Sequence, residues 1–430
     1  MASELQSIHS KVNYNHKYEW VVVGSGIAGI SICEILTREG HEVLLIEKDK
    51  NLSSGTSRDF HEWLHTGSLY SLIPNQMDAL KYILGAIDDL FEYYSFFPGM
   101  NLKQTEKGIF IKNNISDSWF NRNYIYFKYR LKGRKITFPW LIGISRSVNI
   151  IKNLKNHDWL RRRAGVLKNN KFKFYLKIIK DSINLLFHKE NFFNIKTTDF
   201  TMNSRNLIND LVINSLNNGL NISLSNEVVD VKNNKNYNLI KTKNGNIKAE
   251  NVVMCCAENI KNFTKAKINT SYAPLAVISG LDKKVDSYVE LDYFPKNCIN
   301  ILTKDSGIGL IGGITLNNKE KANNYINNVI GKFKKYYPNI KVEGKYIGLK
   351  NEVLLKNQNR NYLYHITQHH PSIWSIIPGK FSLAFSIAPE FYRQIYKKNP
   401  RKFVKYNNNT NIDNIISNTA WKDIIIKNNK

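Results

Sequence analysis

A chain of 430 residues is long enough for two or three packed units with cores of their own. It has no run of 18 or more apolar residues, so no transmembrane helix is expected, and the opening MASELQSIHSKVNYNHKYEW lacks the apolar stretch of a secretory signal. The net charge of +27 does not by itself point to nucleic acid: the excess is mostly Lys, interleaved with Asn and Ile along the whole chain rather than clustered and rich in Arg.

Four cysteines, Cys33, Cys255, Cys256 and Cys298, have neither metal-ligand spacing nor a disulfide framework. No metal site is expected, and a reduced, cytoplasmic compartment fits. One segment departs from the even charge. Trp159 to Arg163 reads WLRRR and Phe172 to Ile179 reads FKFYLKII, a composition suited to peripheral contact with the inner face of a membrane or with a polyanion. A solvated helical face is the plainer reading of the same residues.

The first readable element is the apolar run Trp20 to Val23, which suits a buried parallel strand and ends at Gly24. Gly24, Gly26 and Gly29 follow as G-x-G-x-x-G, with Ile27 and Ala28 between the last two. The first Gly allows a tight turn, the second lets backbone approach a pyrophosphate, and the third lets helix and strand pack closely. Ile27 to Glu39 reads as a helix ended by Gly40. A second apolar run, Val43 to Ile46, leads to Glu47 and Lys48, and a carboxylate at Glu47 is placed to accept hydrogen bonds from an adenosine ribose. Strand, glycines, helix, strand and acid in one unit read as a dinucleotide site.

Next come the small residues Ser53-Ser54-Gly55-Thr56-Ser57, then Arg58 to Tyr70, RDFHEWLHTGSLY. The Gly-Thr-Ser run and, eight residues after Ser57, His65-Thr66-Gly67 resemble the FAD-dependent D-amino-acid oxidase superfamily. Flavin-dependent glycerol-3-phosphate dehydrogenases are the most similar members, with 2-hydroxyglutarate dehydrogenases alongside. The resemblance implies FAD as cofactor and places Thr56, Ser57, His65 and Gly67 along the isoalloxazine. Arg58 to Glu62 departs from the family's serine-rich and basic stretch, and Thr66 stands where the family has Gly or Ala.

Leu80, Ile83, Leu84, Ile87 and Leu90 mark an amphipathic helix within residues 71–100, while residues 101–200 carry no clear pattern. Asn206 to Asn218 reads as a helix, Ile222 begins a strand, and Asn226 to Val231 continues it, with Val228 implied by the resemblance to meet the adenine. A hairpin turn at Lys243 to Asn246 leads to the apolar strand Asn251 to Ala257. The family ends that strand in Gly; here Ala257 takes the place, followed by Glu258. Strand-like runs at 272–280, 288–293, 298–303 and 307–314, then a helix over Ala322 to Tyr337, predict a substrate unit built on an antiparallel sheet. Near the end, Gln358 to Ile366 resembles the family's last strand of the nucleotide unit. Pro378-Gly379-Lys380-Phe381-Ser382 resembles its Gly-Gly-Lys-Leu-Thr segment, where backbone and Lys meet the flavin pyrimidine edge.

The expected architecture is α/β: a Rossmann-like FAD-binding domain from residues 18–95, 196–265 and 350–395, and an α+β substrate domain from 96–195 and 266–349. Residues 396–430, rich in Lys and Asn, read as decoration. The implied activity is an FAD-dependent oxidoreductase removing a hydride from a hydroxyl- or amine-bearing carbon of a small anionic substrate, with an electron acceptor that the sequence does not name. Arg360 is the cation able to hold an acidic group bidentately, and Lys350 the second cation. His65, or one of His365, His369 and His370, is the candidate base. A flavin-dependent RNA-modifying protein and a non-catalytic dinucleotide-binding module are the alternatives.

Overall fold

The computed structural model describes residues 12–67, 69–71, 77–105, 108–113, 115–130, 192–291, 298–304, 307–354, 361, 363–407, 412 and 414–429, with 176, 179, 180, 183 and 187. Arg360 and the segment Trp159 to Arg163 lie outside the described residues.

The fold grows from β1 (Lys17–Val23). Its Trp20 to Val23 are buried on both faces, as a central parallel strand requires. The chain then turns into α1 (Ile27–Arg38), every residue of which is buried, and returns as β2 (Val43–Ile46), parallel to β1. After β3 (Trp63–Leu64) come α2 (Met77–Tyr93), the small ribbon β4 (Leu102–Thr105) and β5 (Gly108–Ile111), and the long strands β6 (Phe120–Arg130) and β7 (Phe192–Met202). The nucleotide-type pattern resumes with α3 (Ser204–Asn217), capped by the Asn203 side chain on Asn206 N, and β8 (Asn221–Ser223). Next are β9 (Val228–Asn234), β10 (Tyr237–Thr242) and β11 (Gly245–Met254). The strands β12 (Ile268–Ser279), β13 (Tyr288–Leu291), β14 (Ile299–Thr303) and β15 (Gly309–Gly313) precede α4 (Lys319–Tyr336) and β16 (Lys341–Val353). The chain closes with β17 (His365–His370), β18 (Ile373–Ile377), α5 (Ala384–Tyr396) and α6 (Ala420–Asn428).

Two sheets organise these elements. The first has the order β17-β18-β11-β1-β2-β8, with β9 and β10 hung on β11 as a meander. Its pairs β18–β11, β11–β1, β1–β2 and β2–β8 are parallel. The helices α1, α2, α3 and α5 cover one face in a single apolar cluster, which runs from Trp20 and Val22 to Phe391 and Tyr392. The second sheet has the order β16-β12-β15-β14-β13-β6-β7-β3 and is antiparallel except at β13–β6. The helix α4 covers its outer face through Ala322, Ile326, Val329 and Phe333. No helix among the described residues is long and apolar enough to cross a membrane.

The tail corrects the sequence reading. Ile412, Ile415 and Ile416 enter the main core, and Leu52 bridges to Ile416. The three isoleucines are spaced i, i+3, i+4 but stand in an Asn-rich stretch that forms no helix among its described residues, so composition concealed their place in the core.

Arg38, with no exposure, ties the helical layer together. It holds Glu34 through Nε at 2.9 Å and Nη2 at 2.6 Å, while Nη1 donates to the carbonyls of Tyr93 and Arg401 at 3.0 Å. Asn214 of α3 donates to the same carboxylate at 2.7 Å. Burial pushes the Glu34 carboxyl up, against the pull of Arg38. Arg38→Met leaves that carboxyl buried without its counter-charge, and about 3–5 kcal/mol of stability to urea is expected to be lost. The paired change Glu34→Leu/Arg38→Met is expected to restore most of it, and an unchanged urea midpoint in Arg38→Met contradicts the assignment.

Candidate active site

The site begins where β1 enters α1. Gly24 sits at φ +99°, and a side chain there would meet the Cys255 carbonyl and Cys256 Cα at 3.0 Å. A Cβ at Gly29 would land 1.9 Å from the Gly24 carbonyl oxygen, so the first turn of α1 crosses the strand at backbone contact. No side chain caps α1 at Gly26, and Ile27 N alone is given a side-chain acceptor, Ser57 Oγ at 2.9 Å. A helix start without a side-chain cap is the physical provision for a phosphate. Glu47, 8% exposed, follows β2; its Oε2 accepts from Ser25 N at 2.8 Å and Ser25 Oγ at 2.6 Å, and its Oε1 from Asp49 N at 3.1 Å.

A cavity of about 340 Å³ runs from this acid along the glycine turn and out to the second sheet. Glu47, Lys48, Asn226 and Val228 line one end. Gly24, Gly26, Ile27, Ala28 and Ala257 line the middle, with Thr56 and Ser57 across from them. Lys350 of β16 and Gly379 and Lys380, past β18, line the other end. A cavity lined by the Glu47 carboxylate and by an uncapped helix start fits a dinucleotide.

Segment 58–67 leads from the cavity into the edge of the second sheet, where Trp63 and Leu64 form β3. Asp59 and Phe60 line the cavity, Phe60 meets Phe381 edge-on at 5.7 Å, and Gly348 approaches the Asp59 backbone. Burial raises the Asp59 carboxyl to about 6, against Arg58. His61 is lowered to about 4 by burial, then by Lys304 and Lys380. His65 is held well below its ordinary value by burial, then by Lys380, Lys350 and His61. Both rings are therefore neutral at neutral pH. The His65 ring packs against that of Trp63 at 4.2 Å, tilted by 33°, and the His65 backbone N donates to Ser382 Oγ at 3.0 Å. Its Nδ1 stands 3.9 Å from Asp199 Oδ2, without a hydrogen bond among the described residues. Asp199 of β7, fully buried, accepts from Trp63 Nε1 at 2.8 Å, Thr66 N at 2.9 Å and Thr66 Oγ1 at 2.5 Å, and burial lifts it to about 6.

The structure therefore brings most of the sequence-selected residues to one cavity. Gly29, His65, Gly67, Phe381 and Ser382 stand behind the lining: Gly29 inside the helix crossing, Gly67 against Leu80, and Ser382 holding the His65 backbone. Lys350, 8% exposed, is ion-paired with Glu352 at 2.7 Å, and the Lys380 ammonium lies 4.9 Å from the centre of the Tyr70 ring. His365, His369 and His370 occupy the edge strand β17 and do not line the cavity; His365 Nε2 meets Asn361 and His369 Nε2 meets Ser375, each at 2.7 Å. Asp59, His61 and Asp199 were not selected from sequence. Asp199 is 133 residues from Thr66 in the chain, and no local pattern announces it.

Ala257, at the end of β11, has φ +53°, a conformation that L-residues other than Gly adopt at a cost. Ala257→Gly is expected to raise the thermal midpoint, corresponding to about 0.5–1 kcal/mol, with the cavity unchanged. A lowered midpoint contradicts the strain.

Comparison with known proteins agrees with this geometry. Residues 19–109 match the profile of the DAO family, described as FAD dependent oxidoreductase. No curated protein matches the chain. Among solved structures, the FAD-bound L-alpha-glycerophosphate oxidase of Mycoplasma pneumoniae shares the fold at a TM-score of 0.61, with 14% identity over 91% of this chain and 98% of that one. The glycine oxidase of Geobacillus kaustophilus is similar at 0.58, with 12% identity over 93% and 98%. The L-proline dehydrogenase of P. horikoshii is similar at 0.52, with 16% identity over 89% and 93%. The glycine-rich unit thus matches the profile of the FAD-dependent oxidoreductase family DAO over residues 19–109, and the chain as a whole shares the fold of these enzymes.

Proposed function

We propose that this oxidoreductase removes a hydride from a hydroxyl- or amine-bearing carbon of a small anionic substrate: a 2-hydroxy acid, an amino acid or a polyol phosphate. The observation that carries the reading is the convergence of Lys350 and Lys380 on one end of the dinucleotide cavity, beside two imidazoles kept neutral.

In this reading the first sheet and its helices hold the cofactor and the second sheet covers the substrate. Gly24, Gly26 and the start of α1 hold the pyrophosphate, Glu47 the ribose, Val228 the adenine, and Ser57, Gly379 and Lys380 the flavin. FAD supplies the two-electron acceptor when bound. The chain's own residues do the rest. Lys350 and Lys380 draw the anionic group, and Arg360 is the further cation on the sequence resemblance. His65, its ring packed on Trp63 behind the lining and kept neutral, is the base that the sequence reading selects for the proton released from the hydroxyl or amine. The Lys350–Glu352 pair makes this anion contact selective, because the substrate group must compete with a carboxylate already in place. Glycerophosphate, glycine and proline, named for the three structural neighbours, each carry one compact anionic group and are consistent with this class.

Anaerobic mixing with 2-hydroxy acids, amino acids and glycerol 3-phosphate, read as bleaching of the flavin bands, tests the substrate class. At least one anionic compound is expected to bleach the flavin. Lys350→Met is expected to raise KM for it about tenfold or more at unchanged flavin content, as loss of a charge-assisted contact implies. Bleaching by neutral or cationic compounds alone, at equal rates in both proteins, contradicts the proposal.

A further inference from the structure

The stretch after Tyr396 grips segment 52–62 at both ends. At the near end Leu52 N donates to the Ile415 carbonyl at 2.7 Å, Ser417 N to the Leu52 carbonyl at 3.0 Å, and Asn51 Nδ2 to the Asn414 carbonyl at 3.0 Å. The next residue, Ser53, donates its N–H to the Ser25 carbonyl of the glycine turn at 3.1 Å. At the far end α6 reaches back: Asp423 pairs with Arg58, and Trp421 Nε1 donates to Glu62 Oε2 at 2.8 Å. Thr56, Ser57, Asp59 and Phe60, which line the cavity, lie between the two grips.

Glu62 shows why the far grip matters. It sits at φ +58° and is 4% exposed. A non-glycine residue persists in that conformation where its surroundings over-determine it. Four donors do so here: Ser204 N at 2.9 Å and Ser204 Oγ at 2.8 Å on Oε1, and Lys304 Nζ at 2.6 Å and Trp421 Nε1 at 2.8 Å on Oε2. They come from α3, from the end of β14 and from α6, so one carboxylate joins the helical layer, the second sheet and the tail. The helix α6 itself has no buried residue. Its sequence reads as decoration, yet its Asp423 and Trp421 bond Arg58 and Glu62, the two residues that flank Asp59 to His61.

We propose that Trp421 and Asp423 are positioning residues of the active site: α6 holds segment 55–62 in the shape that receives FAD. This rests on the reading of the cavity as the FAD site.

Three proteins test it: the intact chain, a chain ending at Asn418, and an intact chain carrying Trp421→Phe and Asp423→Asn. The shorter chain keeps Ile412, Ile415 and Ile416 and loses Thr419 and α6, which has no buried residue, so a circular dichroism spectrum lowered only by the missing helix is expected. Its Kd for FAD is expected to rise about tenfold, the scale of one lost hydrogen bond to a charged group, and amide exchange at 55–62 in the FAD-free protein is expected to quicken. The double substitution is expected to move both readouts the same way, and Asp423→Glu alone to leave them near the intact values. Equal Kd and equal exchange in all proteins overturn the proposal. Should the shorter chain not fold, the double substitution decides. An intact chain that binds no FAD overturns the cofactor reading instead, and exchange at 55–62 still decides whether α6 holds the segment.

Discussion

The close crossing of α1 over β1 is the constraint on which the site depends. Because a Cβ at Gly29 would lie 1.9 Å from the Gly24 carbonyl, the helix start can be pressed against the strand end only with glycine there. That contact fixes where the uncapped N–H groups of α1 point. It also sets the distance to Ser57, whose hydroxyl accepts from Ile27 N, and to Cys255 and Cys256 at the end of β11. These three backbones line the middle of the cavity. Ser25, inside the same turn, binds the Glu47 carboxylate with both its N–H and its hydroxyl, so the acid at the far end of the slot is positioned by the glycine turn as well.

A second pattern is the use of buried charge to join distant segments. Glu34 and Arg38 link α1, α2, α3 and the Arg401 carbonyl. Glu62 links α3, the second sheet and α6. Asp199 links β7 to Trp63 and Thr66, on either side of the His65 ring. Each carboxyl accepts, and Arg38 donates, several hydrogen bonds, which is the condition under which a buried polar group specifies an arrangement instead of weakening it. Glu62 and Asp199 together hold residues 62–66 against the second sheet.

How much of this the sequence reveals follows from how local each signal is. The β1–α1–β2 unit is legible because its cues are contiguous: an apolar run, three glycines at fixed spacing and a terminal acid. The helix α4 is legible because Ala322, Ile326, Val329 and Phe333 keep helical spacing. The strands β6 and β7, which place Asp199, lie in aromatic- and lysine-rich sequence without clean alternation, and their partners are far along the chain. His61 and Asp59 fall in the stretch that departs from the family pattern, so resemblance could not single them out. Lys350 reads from sequence as a substrate cation, but its tie to Glu352 follows from strand alternation, which puts residues two apart on one face. The tail misled because its function is carried by single side chains, not by any repeating pattern.

The absorption spectrum of the purified chain, followed by denaturation to release any ligand, tests the central claim most directly. A yellow protein that releases FAD, and a Gly29→Val variant that folds but is colourless, is the expected result. A colourless protein that FAD does not reconstitute and that binds NAD instead contradicts the account.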